Sequence, residues 1–212
     1  MRNLLKKPLL RGYFHECMFF VSIGACIPLI IKSTTSIELV STIIYSMGIF
    51  MMFGFSALYH RVDWRPKVLK VMRKLDHLSI FIMIGGSFTP ICLLVLPKNI
   101  GLQLLLIIWI IAGIGILQAI IFTNIHRLLR AFIYLVAGYI ALPYLAVMSS
   151  AMGITNFILT VVGGGIYSLG AIGYGLKFPD ISPEYFGYHE FFHVLVSIAA
   201  ILHFIVIYSI VG

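Results

Sequence analysis

Four ionisable side chains sit at the margins of long apolar runs: His60, Asp76, His189 and His193. Charged or titratable groups at membrane depth are costly and call for a reason. His189 and His193 are four residues apart, so on a helix both imidazoles project from one face. Ser56 and His60 have the same spacing and share a face in the same way. Three imidazoles suit zinc and leave a fourth position for water. Zinc draws the pKa of that water towards neutrality and makes it a nucleophile. Asp76 is then the natural hydrogen-bond acceptor and general base. Ser56 would orient His60 or polarise a substrate carbonyl. The plainer reading is that such histidines only bridge helices by hydrogen bonds. Other imidazole-preferring ions, such as iron or nickel, fit the same donors.

Whether these residues meet depends on the elements that carry them. Of 212 residues, 61% are hydrophobic and 10% charged, against about 25% charged in an ordinary soluble domain. Seven apolar stretches, near 13–31, 37–60, 76–96, 100–122, 128–148, 154–176 and 186–211, each approach the ~20 residues that span a bilayer as helix. Barrel strands would alternate polar and apolar residues, and these runs do not. The expectation is an all-α, polytopic membrane protein of seven transmembrane helices forming a single domain over 1–212. The first run is long and ends in no clear small-residue cleavage site, so it reads as a retained span rather than a signal peptide. Pro90, Pro143 and Gly163 to Gly165 are tolerable inside membrane helices.

Of the 15 Lys and Arg residues, all but Lys32 and Lys98 fall on one side of this arrangement. Arg2, Lys6, Lys7 and Arg11 precede span 1. Arg61, Arg65, Lys67, Lys70, Arg73 and Lys74 follow span 2, Arg127 and Arg130 follow span 4, and Lys177 follows span 6. The positive-inside rule places the N-terminus in the cytoplasm, and seven spans place the C-terminus outside. The net charge of +8 is therefore a topology signal, with the six-charge loop touching anionic head groups, and nucleic acid is not an expected partner. Span 2 descends to the cytoplasm while spans 3 and 7 rise from it. His60, Asp76, His189 and His193 thus reach one membrane level.

Other polar residues carry less. His15 and Glu16 start span 1 at the same level and read either as substrate or supporting groups or as interfacial residues. His77 and Glu190 point about 100° away from their ligand neighbours and suit packing or interfacial roles. His126 and His203 fall outside the site, and Gln118 suits an interhelical hydrogen bond. Cys17, Cys26 and Cys92 show no pairing or ligand spacing and read as small buried hydrophobes.

The stretches Ser56-Ala57-Leu58-Tyr59-His60-Arg61, Leu75-Asp76-His77 and Gly187-Tyr188-His189-Glu190-x-x-His193 resemble the hemolysin III branch of the progestin and adipoQ receptor family, over essentially the whole chain. The resemblance implies seven helices with the N-terminus inside, and zinc on His60, His189 and His193. It also implies a zinc-bound water contacting Asp76, with Ser56 as the family serine. It suggests hydrolysis of a lipid amide, in the manner of alkaline ceramidases, or a role in membrane lipid homeostasis, in a bacterial plasma membrane. Many members begin with Glu-x-x-Asn-x-x-x-His. Here the region reads Arg11-Gly12-Tyr13-Phe14-His15-Glu16, without that asparagine, which leaves the roles of His15 and Glu16 open.

Three functions compete. One is a zinc-dependent hydrolase of a lipid amide or ester, with membrane lipids as partners. The second is a non-enzymatic membrane regulator in which zinc staples spans 2 and 7. The third is a pore or cytolysin, which should show a polar stripe through the full depth of the bundle, whereas the outer halves of these spans are nearly all apolar.

Overall fold

The computed structural model describes residues 7–122 and 124–212. Arg2 and Lys6, two of the N-terminal basic residues, lie outside the described residues. Among the described residues, eight α-helices build seven candidate spans. They are α1 (Tyr13–Ile31), α2 (Ser36–Arg61), α3 (Pro66–Pro90, continued by a π-turn over Ile91–Val95), α4 (Lys98–Ile121), α5 (Arg127–Tyr139), α6 (Leu145–Met152), α7 (Ile154–Leu176) and α8 (Tyr188–Ile210). Among the described residues there is no β-strand, only an isolated bridge between Ser182 and Phe186.

Local chemistry starts these helices. Thr35 caps α2 in a reciprocal box: its hydroxyl accepts from Glu38 N–H (3.2 Å), while Glu38 Oε2 accepts from Thr35 N–H (3.1 Å). Pro66 opens α3, where its missing N–H costs nothing. The third helix therefore begins ten residues before the expected 76. Lys67, Lys70, Arg73 and Lys74 ride on its first turns, not in a loop, because the periodic Val68, Leu69, Val71 and Met72 carry the helix beyond the apolar run. Asp76 sits on the third turn of α3. Span 5 is broken rather than continuous: Pro143 lies in a 3-10 turn over Leu142–Tyr144 that separates α5 from α6.

Helix α4 shows what a lipid solvent demands. Leu104, Ile108, Ala112, Gly115 and Ala119 are buried, while Leu106, Ile110, Ile114 and Leu117 on the other face are more than half exposed. A helix apolar all round is stable only where its outer face meets hydrocarbon. Helices α2 and α3 pack closest where Gly48 faces Gly86. A Cβ on Gly48 would come 3.2 Å from Ile82 O and one on Gly86 3.1 Å from Ile44 O. Small residues let backbones approach where no hydrophobic effect drives association. Cys26 and Cys92 are buried, but Cys17 is exposed. It sits two residues, about 200°, from buried His15 on a peripheral helix that buries one face only.

Contacts run α1–α2–α3, then α3–α5, α5–α7, α7–α8 and back from α8 to α1, with α4 packed on α3. This ring places the chain ends apart. Leu9 N–H donates to Glu184 O (2.9 Å) in the loop before α8. Gly212 N–H donates to Glu38 Oε1 (3.4 Å), and Lys32 Nζ donates to Tyr208 O (3.0 Å), at the other end. The first end carries Arg61, Arg127, Arg130 and Lys177 as well, and is termed the basic end.

Candidate metal centre

His60 occupies the last turn of α2, one turn beyond Ser56, and both are buried. His189 and His193 are on the first two turns of α8. That helix begins abruptly at Gly187, whose N–H donates to the Glu190 carboxylate (2.9 Å). Glu190 is fully buried and also accepts from Arg11 Nε. A chain of contacts thus ties the segment before α1 to the helix start that aims two histidines.

The three imidazoles converge. His60 Nε2 and His189 Nε2 lie 3.1 Å apart, and one ring nitrogen from each of His60, His189 and His193 falls within 4.8 Å of the others. Tetrahedral zinc with Zn–N of about 2.0–2.1 Å spaces its ligands about 3.4 Å apart, inside the 4.8 Å bound on the three nitrogens. Among the described residues the buried His193 Nδ1 has no hydrogen-bond partner, and an orphaned nitrogen on a converging imidazole is one that a metal would satisfy. The donor set fits a metal ion.

His15 joins this group. It is buried, its ring stacks on His193 with centroids 3.8 Å apart and planes 11° from parallel, and its Nδ1 lies 2.8 Å from Ser56 Oγ. Ser56 is therefore held by His15 rather than directed at His60. The hydroxyl also lies against the Asp76 carboxyl. With Asp76 ionised, Ser56 can serve both only by accepting from His15 Nδ1–H and donating to Asp76. Glu16 parts company with its neighbour: it is half-exposed and takes a hydrogen bond from Arg61 Nε (2.8 Å) at the surface.

The remaining candidates fall as follows. His77 packs inward, 3.1 Å from Arg130 Nη1. Glu190 has the buried pairing already described. Gln118 makes a bond to Phe122 O (3.4 Å) within its own segment, not between helices, because that end of α4 is exposed at Ile121 and Phe122. His126 caps α5 by accepting from Leu128 N–H. His203 is distant from the other histidines and bonds Thr160 O (3.1 Å).

Sequence reading left two features out. One is the Arg11–Glu190 pair, hinted at by opposite charges at one membrane level on the first and last spans. The other is a cavity of about 660 Å³ that is lined by His60 and His189 and runs between α3, α5, α6, α7 and α8 as far as His203 and Ile207. From His189 to Ile207 this is about 27 Å along α8, at 1.5 Å per residue. Met148, Val196 and Val206 represent its deep wall, and α4 contributes nothing to it among the described residues.

A family model described as "Haemolysin-III related" matches residues 3–204. The chain belongs to this family. Hemolysin-3 of Bacillus cereus is 32% identical over 177 residues, covering 81% of this chain and 80% of that protein. The Hemolysin-3 homolog of Bacillus subtilis (strain 168) is 29% identical over 173 residues, covering 80% and 81%. The human monocyte to macrophage differentiation factor is 25% identical over 176 residues, covering 81% of this chain and 71% of its own. This haemolysin-III-related chain is thus a multi-pass membrane protein with a histidine cluster able to hold a metal ion.

Proposed function

We propose that this chain is a zinc-dependent hydrolase of an amide or ester linkage in a membrane lipid. The observation that carries the reading is the convergence of three imidazoles on the wall of a largely apolar cavity that Asp76 also lines. His60, His189 and His193 would hold the ion, which when bound supplies a Lewis acid and a water acidified towards neutral pH. Asp76 receives a proton at its carboxylate and returns it to the leaving group. Ser56 fixes that carboxylate by donating to it, and His15 fixes Ser56. Apolar walls along α7 and α8 exclude water and accept an acyl chain, a match to the 300–1,000 Å³ of ordinary ligand sites within an order of magnitude. The basic end faces the cytoplasm by the positive-inside rule, so the linkage is cleaved at the inner leaflet, with a bacterial plasma membrane as the setting.

The test is metal analysis of protein purified in mild detergent without chelators, followed by assay of fatty acid released from added lipids. About one zinc per chain is expected, lost in His60→Ala and His189→Ala, with product lost in Asp76→Ala while zinc stays bound. No metal in the wild type removes the reading. A second reading has its own support: the histidines join α2 to α8, so zinc would staple two helices. Bound zinc with no product from any lipid offered, and a fold that fails on chelation, selects that role.

A further inference from the structure

The cations on the cavity wall set it apart from the rest of the basic end. Lys7, Arg11, Arg73 and Arg130 line the cavity, against the single carboxylate of Asp76, among the described residues. Arg61, Arg65, Lys67, Lys70, Lys74, Arg127 and Lys177 do not line it. Topology asks only for positive charge in loops and juxtamembrane turns. It gives no reason to turn guanidinium groups inward towards an apolar chamber, where like charges repel more strongly than in water.

Arg73 and Arg130 converge from different helices. Arg73 Nη2 donates to Asn124 Oδ1 (2.8 Å), and Arg130 Nη2 donates to Ile125 O (3.3 Å) in the adjacent loop position. Arg130 Nη1 lies 3.1 Å from His77 Nε2, one residue from Asp76. Both guanidinium groups lie within electrostatic reach of His77. They are braced by a loop and a helix beside Asp76, and the guanidinium fork matches phosphate oxygens two at a time. Lys7 and Arg11 line the cavity from the segment before α1. Arg11 is committed to Glu190 and Lys7 lies 3.7 Å from Asp63, so the net positive field comes chiefly from the α3–α5 side.

We propose that the site takes a lipid whose head group carries a phosphate, held by Arg73 and Arg130, with the acyl chain in the cavity and the scissile linkage at the histidine cluster. The placement of the linkage rests on the hydrolase reading; the head-group preference does not. It rests on the charge of the cavity wall.

The experiment measures binding rather than turnover. The purified, metal-loaded protein in neutral detergent is titrated with a fluorescent phosphatidylglycerol and with the phosphate-free diacylglycerol and ceramide of the same acyl chains. Expected is a preference of about tenfold for phosphatidylglycerol, the scale of one charge-assisted hydrogen bond, shrinking as salt is added. R73Q and R130Q lower phosphatidylglycerol affinity several-fold and leave diacylglycerol affinity as it was. K67Q and K70Q, whose side chains do not line the cavity, keep the preference. Equal wild-type affinity for the three lipids overturns the proposal, and this arm needs no variant to fold. So does oleate competing as well as phosphatidylglycerol, because any anion would then suffice. Selective phosphatidylglycerol binding with no fatty acid released sinks the hydrolase reading alone. Release from ceramide without any preference for phosphatidylglycerol sinks the head-group proposal alone.

Discussion

His60 and His189, 129 residues apart in sequence, bring their Nε2 atoms to 3.1 Å. Two neutral imidazoles can share that contact only if one donates and the other accepts; a cation lets both offer lone pairs. Added zinc is therefore expected to raise the thermal transition of the detergent-solubilised protein, by about 4 kcal/mol of stabilisation at a thousandfold excess over the dissociation constant. His60→Ala and His193→Ala should abolish the shift. A zinc-dependent shift that persists in both would move the metal to other donors.

Gly12 is expected to be a determinant of the same site. Its φ of +84° is unfavourable for other L-residues, and a Cβ there would lie 2.7 Å from His60 Cβ. Gly12→Ala should cost about 1–2 kcal/mol for the backbone alone and push the His60 ring out of register. Gly12→Asn separates the two effects, since asparagine tolerates left-handed backbone but still carries a Cβ. Zinc content should fall in both variants, while only the alanine form carries the full loss of stability. Unchanged zinc content in both would show that His60 adapts to the crowding.

The seven spans, their alternation and the meeting of His60, His189 and His193 were legible in the sequence, because apolar run length and i, i+4 spacing are local properties with global consequences in a bilayer. Helix limits were less so. Pro66 begins α3 well before the apolar run because a helix may leave the membrane without ending, and Pro143 breaks span 5 because its ring displaces the preceding turn. The role of His15 could not be read from its position at a span margin. Its stacking on His193 depends on how α1 leans against α8, which no short-range pattern encodes. Arg130 reads as a loop charge in sequence, and only the packing of α5 against α3 and α7 turns it towards the cavity.

Arg11 and Glu190 should behave as a unit. Glu190 is wholly buried and Arg11 one-fifth exposed, so Arg11→Gln leaves a carboxylate without its cation in the interior. A loss of about 3–5 kcal/mol is expected for that change. Replacing both residues by methionine should recover much of it, less the part owed to Glu190 as acceptor for Gly187 N–H. Thermal unfolding of the two single variants and the double variant gives the coupling. Additive losses would mean that the pair contributes nothing beyond its separate contacts.

Asp76 and Ser56 are expected to separate chemistry from metal binding. Neither is among the converging ring nitrogens, so Asp76→Asn should keep zinc at the wild-type level. The amide cannot accept a proton as the carboxylate does, and product formation from a hydrolysed lipid should fall by about 10²–10⁴. Ser56→Ala removes the partner of His15 Nδ1, which lies 2.8 Å away in a buried setting. About 1–3 kcal/mol of stability should go with it, the cost of an unsatisfied buried donor. Its effect on turnover should be smaller than that of Asp76→Asn, because Ser56 acts by holding the carboxylate in place. Measuring kcat and KM at fixed zinc content for both variants makes the comparison. A Ser56→Ala variant as inactive as Asp76→Asn, with zinc retained, would instead put the serine hydroxyl in contact with the reacting carbonyl.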